Sequence, residues 1–436
     1  MNADPRDVIS FSPMSRLQVL VVAITIGLNA LDGFDVLSIS FASPGIAQEW
    51  GIDRAALGIV LSMELVGMAI GSVVLGGVAD RIGRRPTILG CLLVMAAGML
   101  MATTVRGLID LSIWRIVTGL GIGGMLAAIN AVAAEFSNAR RRHLGVSLMS
   151  LGYPVGAVVG GTVAAQLLRG HDWRSVFYFG AGVTTALIPV VYFVVPESVH
   201  WLAHRQPAGA IEKINLALAR MGRAAVTTLP SIPAAMRNRS VADLFAPGIA
   251  RTTTIVTLAY FLHITTFYFI VKWVPKIVVD FGFAPSSAAG VLVWTNVGGA
   301  LGAASFGILT QRYSVKGLTV GTLLLSTVMV TLFGRAPTDL QRLSLICAVA
   351  GFCTNAGIVG LYAIIAQAFP THLRASGTGF AIGVGRGGSV LAPIVAGFLF
   401  AAGYLLPMVA FTMALGSLLA AGVLILLRFD TEESSK

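Results

Sequence analysis

Two aspartates, Asp32 and Asp35, stand three residues apart in "GLNALDGFDVLSIS", a segment otherwise dominated by apolar and small residues. On a helix that spacing puts the two carboxylates about 60° apart on one face, with Asn29 one turn back. Carboxylates this close repel, and a low-dielectric setting favours protonating one of them. Such a group is suited to taking up a proton on one side of a barrier and releasing it on the other. Glu64, inside a second apolar stretch, is a third candidate for the same chemistry. The matching cations are Arg386, in "GVGRGGS", and Arg115, in "SIWRIVTG". A planar guanidinium recognises a carboxylate bidentately, and small neighbours leave room for another molecule to approach Arg386. Arg115 has a second reading, as a buried ion pair with the aspartates that fixes packing. Gly33, between the aspartates, is expected to keep their face open.

The remaining candidates are polar or aromatic. His263, Tyr362, Asn355, Asn130 and Asn296 fit either a cavity lining or hydrogen bonding between helices. Phe267 and Tyr268 are placed to stack on a ring or to pack. Lys272, beside Trp273, reads as a snorkelling anchor at an outer surface.

These residues must be positioned by membrane helices. Of 436 residues 56% are hydrophobic and 11% charged, well under half the charge content of a soluble domain. Crossing about 30 Å of hydrocarbon takes roughly 20 residues. Apolar stretches of that order recur twelve times, near 17–39, 55–79, 86–105, 108–135, 144–168, 176–195, 252–279, 287–309, 318–334, 342–366, 376–400 and 404–427. Counting a rise of about 1.5 Å per residue places Asp32, Arg115, Glu64, His263 and Arg386 at similar depths toward the membrane middle. The polar start of the chain contains no cleavable leader pattern, so the first span is expected to stay. Cys91, Cys347 and Cys353 all fall in spans without metal-ligand spacing, and read as packing residues, with no metal or cofactor implied. The glycines Gly119, Gly121, Gly123 and Gly124 read as close helix packing rather than a phosphate loop.

The basic residues set the topology. Of 30 Lys and Arg, 20 lie in the termini and even-numbered loops. The odd-numbered loops hold Arg54, Arg106, Arg169, Arg174, Lys276, Arg335 and Arg342, and the spans hold Arg115, Lys272 and Arg386. That bias places both termini in the cytoplasm and accounts for the net charge of +11 without nucleic acid. The long loop around 196–250 carries an amphipathic piece, "AGAIEKINLALARMG", expected on the cytoplasmic surface. It divides an N-terminal six-helix bundle, 1–195, from a C-terminal one, 251–436. A shift of 231 residues lays "GGVADRIGRR" on "GILTQRYSVK" and lays Gly152 and Gly156 on Gly383 and Gly387, which points to an internal duplication. Two repeated bundles are a transporter architecture, with the site expected between them near the midplane.

"GGVADRIGRRPTIL", between spans two and three, resembles the signature loop of the major facilitator superfamily. "RIVTGLGIGG" in span four and "PESVHWL" after span six are similar to further motifs of that superfamily. "DGFD", "FYFIVKWVP" and "GVGRGG" resemble its aromatic acid:proton symporters. The resemblance implies an all-α polytopic protein of the bacterial inner membrane, with twelve transmembrane helices in two bundles and a monomeric state. It implies proton-coupled import of small aromatic carboxylates such as 4-hydroxybenzoate or benzoate by alternating access. Asp32, Asp35 and Glu64 are then candidates for proton coupling. Arg386, Arg115, His263, Tyr362, Asn355, Asn130, Phe267 and Tyr268 are candidates for substrate binding. Gly76, Asp80, Arg81, Gly83, Arg84 and Arg85 of the signature loop would form a cytoplasmic gating latch. The expected partners are a small organic acid, protons and the lipid bilayer. The alternatives are a carrier of sugars or non-aromatic acids, a drug:proton antiporter, and a transporter-like sensor. The antiporter reading is weakened by Ala157, which stands where an exporter pattern in span five has proline. No nucleophile and base at workable spacing suggests an enzyme.

Overall fold

The computed structural model of the protein describes residues 4–230, 241–369 and 373–427. Within them the chain forms α1 (Pro5–Phe11), α2 (Arg16–Trp50), α3 (Arg54–Ile82), α4 (Arg84–Ala102), α5 (Leu108–Glu135), α6 (Arg142–Leu167), α7 (Arg174–Val194), α8 (Val199–Arg205) and α9 (Ala210–Arg220). After a 3-10 turn at Val241–Phe245 follow α10 (Ala250–Asp280), α11 (Pro285–Leu309), α12 (Val315–Phe333), α13 (Leu340–Ala368), α14 (Arg374–Gly385), α15 (Gly387–Ala401) and α16 (Leu406–Ile425). Twelve spans are long and apolar enough to cross a membrane, with α14 and α15 together supplying the eleventh, Ser376–Ala401. Residues 231–240 of the expected loop and both chain ends lie outside the described residues, so the side assigned to the termini rests on the basic-loop bias.

The first span exceeds the expected 17–39. Helix α2 runs on through Pro44 to Trp50. An interior proline leaves the carbonyl four residues earlier without its N–H partner. Here Ser43 Oγ donates to that carbonyl, on Ser40, at 2.9 Å, so the helix continues at little cost. A related repair supports Pro154 in α6. Asn29 Nδ2 donates to the carbonyls of Met149 at 2.8 Å and Ser150 at 3.4 Å, the latter being the one Pro154 orphans. Asn29 thus serves the backbone of a neighbouring helix.

The chain separates into two compact units. One runs to Ile39 and resumes at Met63; the other holds Ser40–Ser62 together with the chain from the 3-10 turn at Val241–Phe245 onward. Within the second unit, Ser62 Oγ donates to the Val390 carbonyl at 2.7 Å, and the Arg54 guanidinium lies 5.0 Å from the Phe400 ring centre.

Without a hydrophobic drive between helices in lipid, close packing relies on small residues. In the first unit, Gly152, Gly156 and Gly160 of α6 run along α2, where a Cβ at each would collide in turn with Ile26, Ala30 and Phe34. Gly33 faces the Tyr153 carbonyl in the same seam. It therefore admits a neighbouring helix, and the expectation that it keeps a face open is corrected. Gly119 and Gly123 of α5 lie against Glu64 and Met68 of α3, while Gly121 and Gly124 receive Met95 and Leu75. In the second unit Gly388 packs on the Phe261 carbonyl of α10, and a Cβ at Gly383 would meet nothing within 4 Å. The glycine doing for α15 what Gly156 does for α6 is thus one residue later than the repeat alignment gives.

Gly156→Val drives a side chain into the Ala30 backbone, an overpacking expected to cost about 1–3 kcal/mol. A lower melting midpoint in detergent, with Val159→Leu on the exposed side of α6 melting as the parent does, is the expected result.

Candidate substrate and proton sites

The carboxylates of the first unit converge on one guanidinium. Arg115, Glu64 and Asp35 are 0% exposed and Asp32 is 1% exposed. An Arg115 Nη2–Glu64 Oε1 ion pair joins α5 to α3. The same Nη2 donates to the Asp35 main-chain carbonyl at 3.0 Å, and Nη1 lies 3.3 Å from Met99 Sδ. The guanidinium stands 5.3 Å from the Phe177 ring centre. Arg115 is therefore held by α2, α3, α4 and α7 at once. The pairing of Arg115 with Glu64 was not anticipated, and the reason for it is local: Gly67 and Gly119 let α3 and α5 approach to backbone contact beside these two residues. Asp35 meets Arg115 through its carbonyl, and neither of its carboxylate oxygens has a hydrogen-bond partner among the described residues. The charges acting on Asp35 are those of Arg115 and Glu64. Asp32 lies within electrostatic range of Cys91 on α4.

The second unit builds a different environment around Arg386. The helix tightens there: Arg386 separates α14 from α15, and its carbonyl accepts from Ser389 N at 2.9 Å and Ser389 Oγ at 2.6 Å. Glycines on both sides weaken the helix, so the change of winding falls at this residue. Arg386 is half-buried and acts electrostatically on Tyr260, as do Tyr362 and Tyr268. The Tyr260 and Tyr362 hydroxyls are 3.1 Å apart with ring centres 5.5 Å apart. Tyr362 remains 39% exposed while Tyr260 is 2% exposed. Gly385 leaves the space that the Tyr260 ring fills. Phe267, buried, meets the half-buried Tyr268 edge-on at 5.2 Å.

Other candidates fall elsewhere. His263 Nε2 donates to the Thr354 carbonyl at 2.9 Å, and Nδ1 pairs with Ser417 Oγ at 2.8 Å. Both ring nitrogens of this fully buried side chain are used in joining α10, α13 and α16, leaving neither for another molecule. Asn355 and Asn130 each donate to a carbonyl of their own helix, Gly351 at 3.1 Å and Leu126 at 2.9 Å. Asn355 also faces Gly299 of α11. Lys272 is 0% exposed, so the snorkelling reading is corrected.

The signature loop is a charge network built on Gly83, whose φ of 114° lies where glycine is at ease. Arg84 bridges Asp80 at 2.5 Å and Glu135 at 3.1 Å. Glu197 Oε1 accepts from Arg84 N at 2.9 Å and Arg85 N at 3.4 Å, capping the start of α4. Burial pushes the Glu197 carboxyl above its ordinary value, opposed by those N–H groups, by that of Ser198 and by the Arg84 charge. The Asp80 carbonyl accepts from Trp201 Nε1 at 3.0 Å and Arg205 Nε at 2.9 Å. Arg81 is exposed, and Gly76 has only ordinary contact with Ala127. Sequence reasoning missed Glu135, Glu197 and Tyr260. "PESVHWL" contained Glu197 without revealing its partner, and the seven-residue spacing of Tyr260 and Phe267 placed both on one face of α10.

Long apolar helices that bury charged side chains in both units define a multi-pass membrane protein. The chain belongs to the Major Facilitator Superfamily, whose model matches residues 25–240 and 256–436. It is 29% identical over 421 residues to the gallate transporter of Pseudomonas putida, covering 96% of this chain and 93% of that one. It is 30% identical over 394 residues to the 4-hydroxybenzoate transporter PcaK of the same organism, covering 89% and 87%. The inward-open structure of the xylose transporter XylE from E. coli shares the fold at a TM-score of 0.74 and 16% identity, covering 96% of this chain and 98% of that one. The chain is thus a transporter and not an enzyme, and in a bacterium a helical protein of this kind resides in the inner membrane.

Removing one partner of a buried ion pair leaves an uncompensated charge, which costs about 3–5 kcal/mol. Arg115→Met is therefore expected to lower the melting midpoint sharply and Glu64→Gln likewise. The double variant Glu64→Gln/Arg115→Met should recover most of the loss, measured by thermal unfolding in detergent.

Proposed function

We propose that the protein imports small aromatic carboxylates together with protons by alternating access, as a monomer with both termini in the cytoplasm. The observation that carries this reading is Arg386 at a change of helix winding within electrostatic range of Tyr260, which itself meets Tyr362. A guanidinium suits a carboxylate, and tyrosine rings offer faces and edges to a benzene ring. Relatives named as carriers of gallate and 4-hydroxybenzoate support the same substrate class. A sugar carrier finds support only in shared fold, since the xylose transporter is 16% identical.

Proton coupling is assigned to Asp32 and Asp35. Glu64 is engaged by Arg115, whereas the Asp35 carboxylate is fully buried with no hydrogen-bond partner among the described residues and Asp32 lies one helical turn away, a setting suited to taking up and releasing a proton. Arg115 and Glu64 then act as the fixed frame of the proton site. His263 is a structural residue of the second unit.

Asp35→Asn and Asp32→Asn should each abolish accumulation of labelled 4-hydroxybenzoate driven by a proton gradient in proteoliposomes, while at least one retains counterflow exchange. Full accumulation in both variants contradicts the coupling assignment, and binding without any exchange in the parent protein identifies a sensor. Arg386→Lys keeps the charge and loses the bidentate fork. A KM for uptake raised about tenfold is expected, as befits the loss of one charge-assisted hydrogen bond.

A further inference from the structure

A cavity of about 670 Å³ opens in the first unit on the face that carries the basic loops, where the end of α3 and the start of α4 meet the end of α7, α8 and α9. Its charged lining is three cations, Arg85, Lys213 and Arg220, against one carboxylate, Glu197. The carboxylate is already committed to main-chain N–H groups. The two arginines are positioned by neutral acceptors: Arg85 Nη2 donates to the Tyr192 carbonyl, and Arg220 Nη2 to the carbonyls of Phe193 and Val194 at 3.0 Å. These are the carbonyls that the end of α7 leaves without helical partners. Neither guanidinium has an ion-pair partner among the described residues, Arg85 stands 5.1 Å from the Tyr192 ring centre, and its buried Nε has no hydrogen-bond partner among them. Lys213 is exposed and has no ion-pair partner among them.

The rim is apolar. Phe193 is 70% exposed, Leu216 66% and Ile82 52%, although two of the three end membrane spans. Exposed apolar side chains at a span terminus lie at the boundary of headgroups and acyl chains, and α9 is amphipathic, with Ile214, Ala217 and Leu218 buried beneath it. A basic pocket with an apolar rim at that depth is what a lipid phosphate and its chains require. A free phosphate has no use for the rim, and a zwitterionic headgroup brings an ammonium of its own among the cations.

We propose that this cavity is a binding site for an anionic phospholipid of the adjacent leaflet, with Arg85, Lys213 and Arg220 holding the phosphate and the chains lying along Phe193 and Leu216. Because Arg85 and Glu197 also belong to the signature-loop network, occupancy links that network to lipid composition. The site is independent of which solute is carried.

The test is native mass spectrometry of the full-length protein in neutral detergent, titrated with phosphatidylglycerol, phosphatidylcholine or inorganic phosphate. Phosphatidylglycerol is expected to be retained in preference to phosphatidylcholine, and phosphate at matched concentration should not displace it. Lys213→Gln, at an exposed position, should weaken retention about fivefold, the worth of one surface cation toward an anionic lipid. Arg169→Gln, in an odd-numbered loop, should retain phosphatidylglycerol as the parent does. Equal retention of both lipids, displacement by phosphate, or unaltered retention in Lys213→Gln would each overturn the proposal.

Discussion

A guanidinium enclosed by a membrane bundle must have its charge balanced and its donors occupied, and the first unit is organised around that requirement. Arg115 is fully buried, and its partners come from four helices: Glu64 from α3, the Asp35 carbonyl from α2, Met99 from α4 and Phe177 from α7. No single helix could supply that set. The glycines of α3 and α5 follow from the same demand, because only backbone contact beside Gly67 and Gly119 brings the two charges into pairing distance. A side chain at either position would separate them and leave two desolvated ions, a larger loss than the packing alone.

The two units use polar groups for different ends. In the first, Arg115 pairs with Glu64 while the buried Asp35 carboxylate has no hydrogen-bond partner among the described residues. In the second, the buried polar groups are mostly satisfied in place: His263 by Thr354 and Ser417, Thr266 by Met413, and Trp273 by Pro393. Arg386 is half-buried, acts electrostatically on Tyr260 and stands at the point where a span changes its winding. A discontinuity in a membrane helix is tolerated where it is repaired locally, as Ser389 does here, and such places are commonly given to function. The two units therefore differ in their polar chemistry.

On the basic face, one turn at Gly83 aligns three ionic partners. Asp80 and Glu135 take the Arg84 side chain, while Glu197 takes the main-chain N–H groups of the same residue. The loop after α7 thereby fastens to the start of α4, and α8 fastens to the end of α3 through Trp201 and Arg205. The shape of the neighbouring cavity is a consequence of these ties.

The sequence by itself determined the number of spans, their approximate limits, the membership in a superfamily and the short set of charges able to do chemistry. Each of these depends on composition over some twenty residues or on a local motif, and hydrocarbon solvent enforces both strictly. It also marked Gly119 and its neighbours as packing residues, since no strand precedes them. Tertiary structure alone decided which charges pair. By sequence the aspartates were the partners expected for Arg115, and the pairing with Glu64 turned on α3 and α5 approaching to backbone contact. His263 was legible as either ligand or staple until Thr354 and Ser417 were brought to its two nitrogens from helices about 90 and 150 residues away. Tyr260 carried no local signal beyond its face of α10, because its meaning comes from Tyr362 and Arg386. Hydrophobic pattern fixes which segments enter the membrane; only the mutual packing of those segments fixes which polar atoms meet inside it.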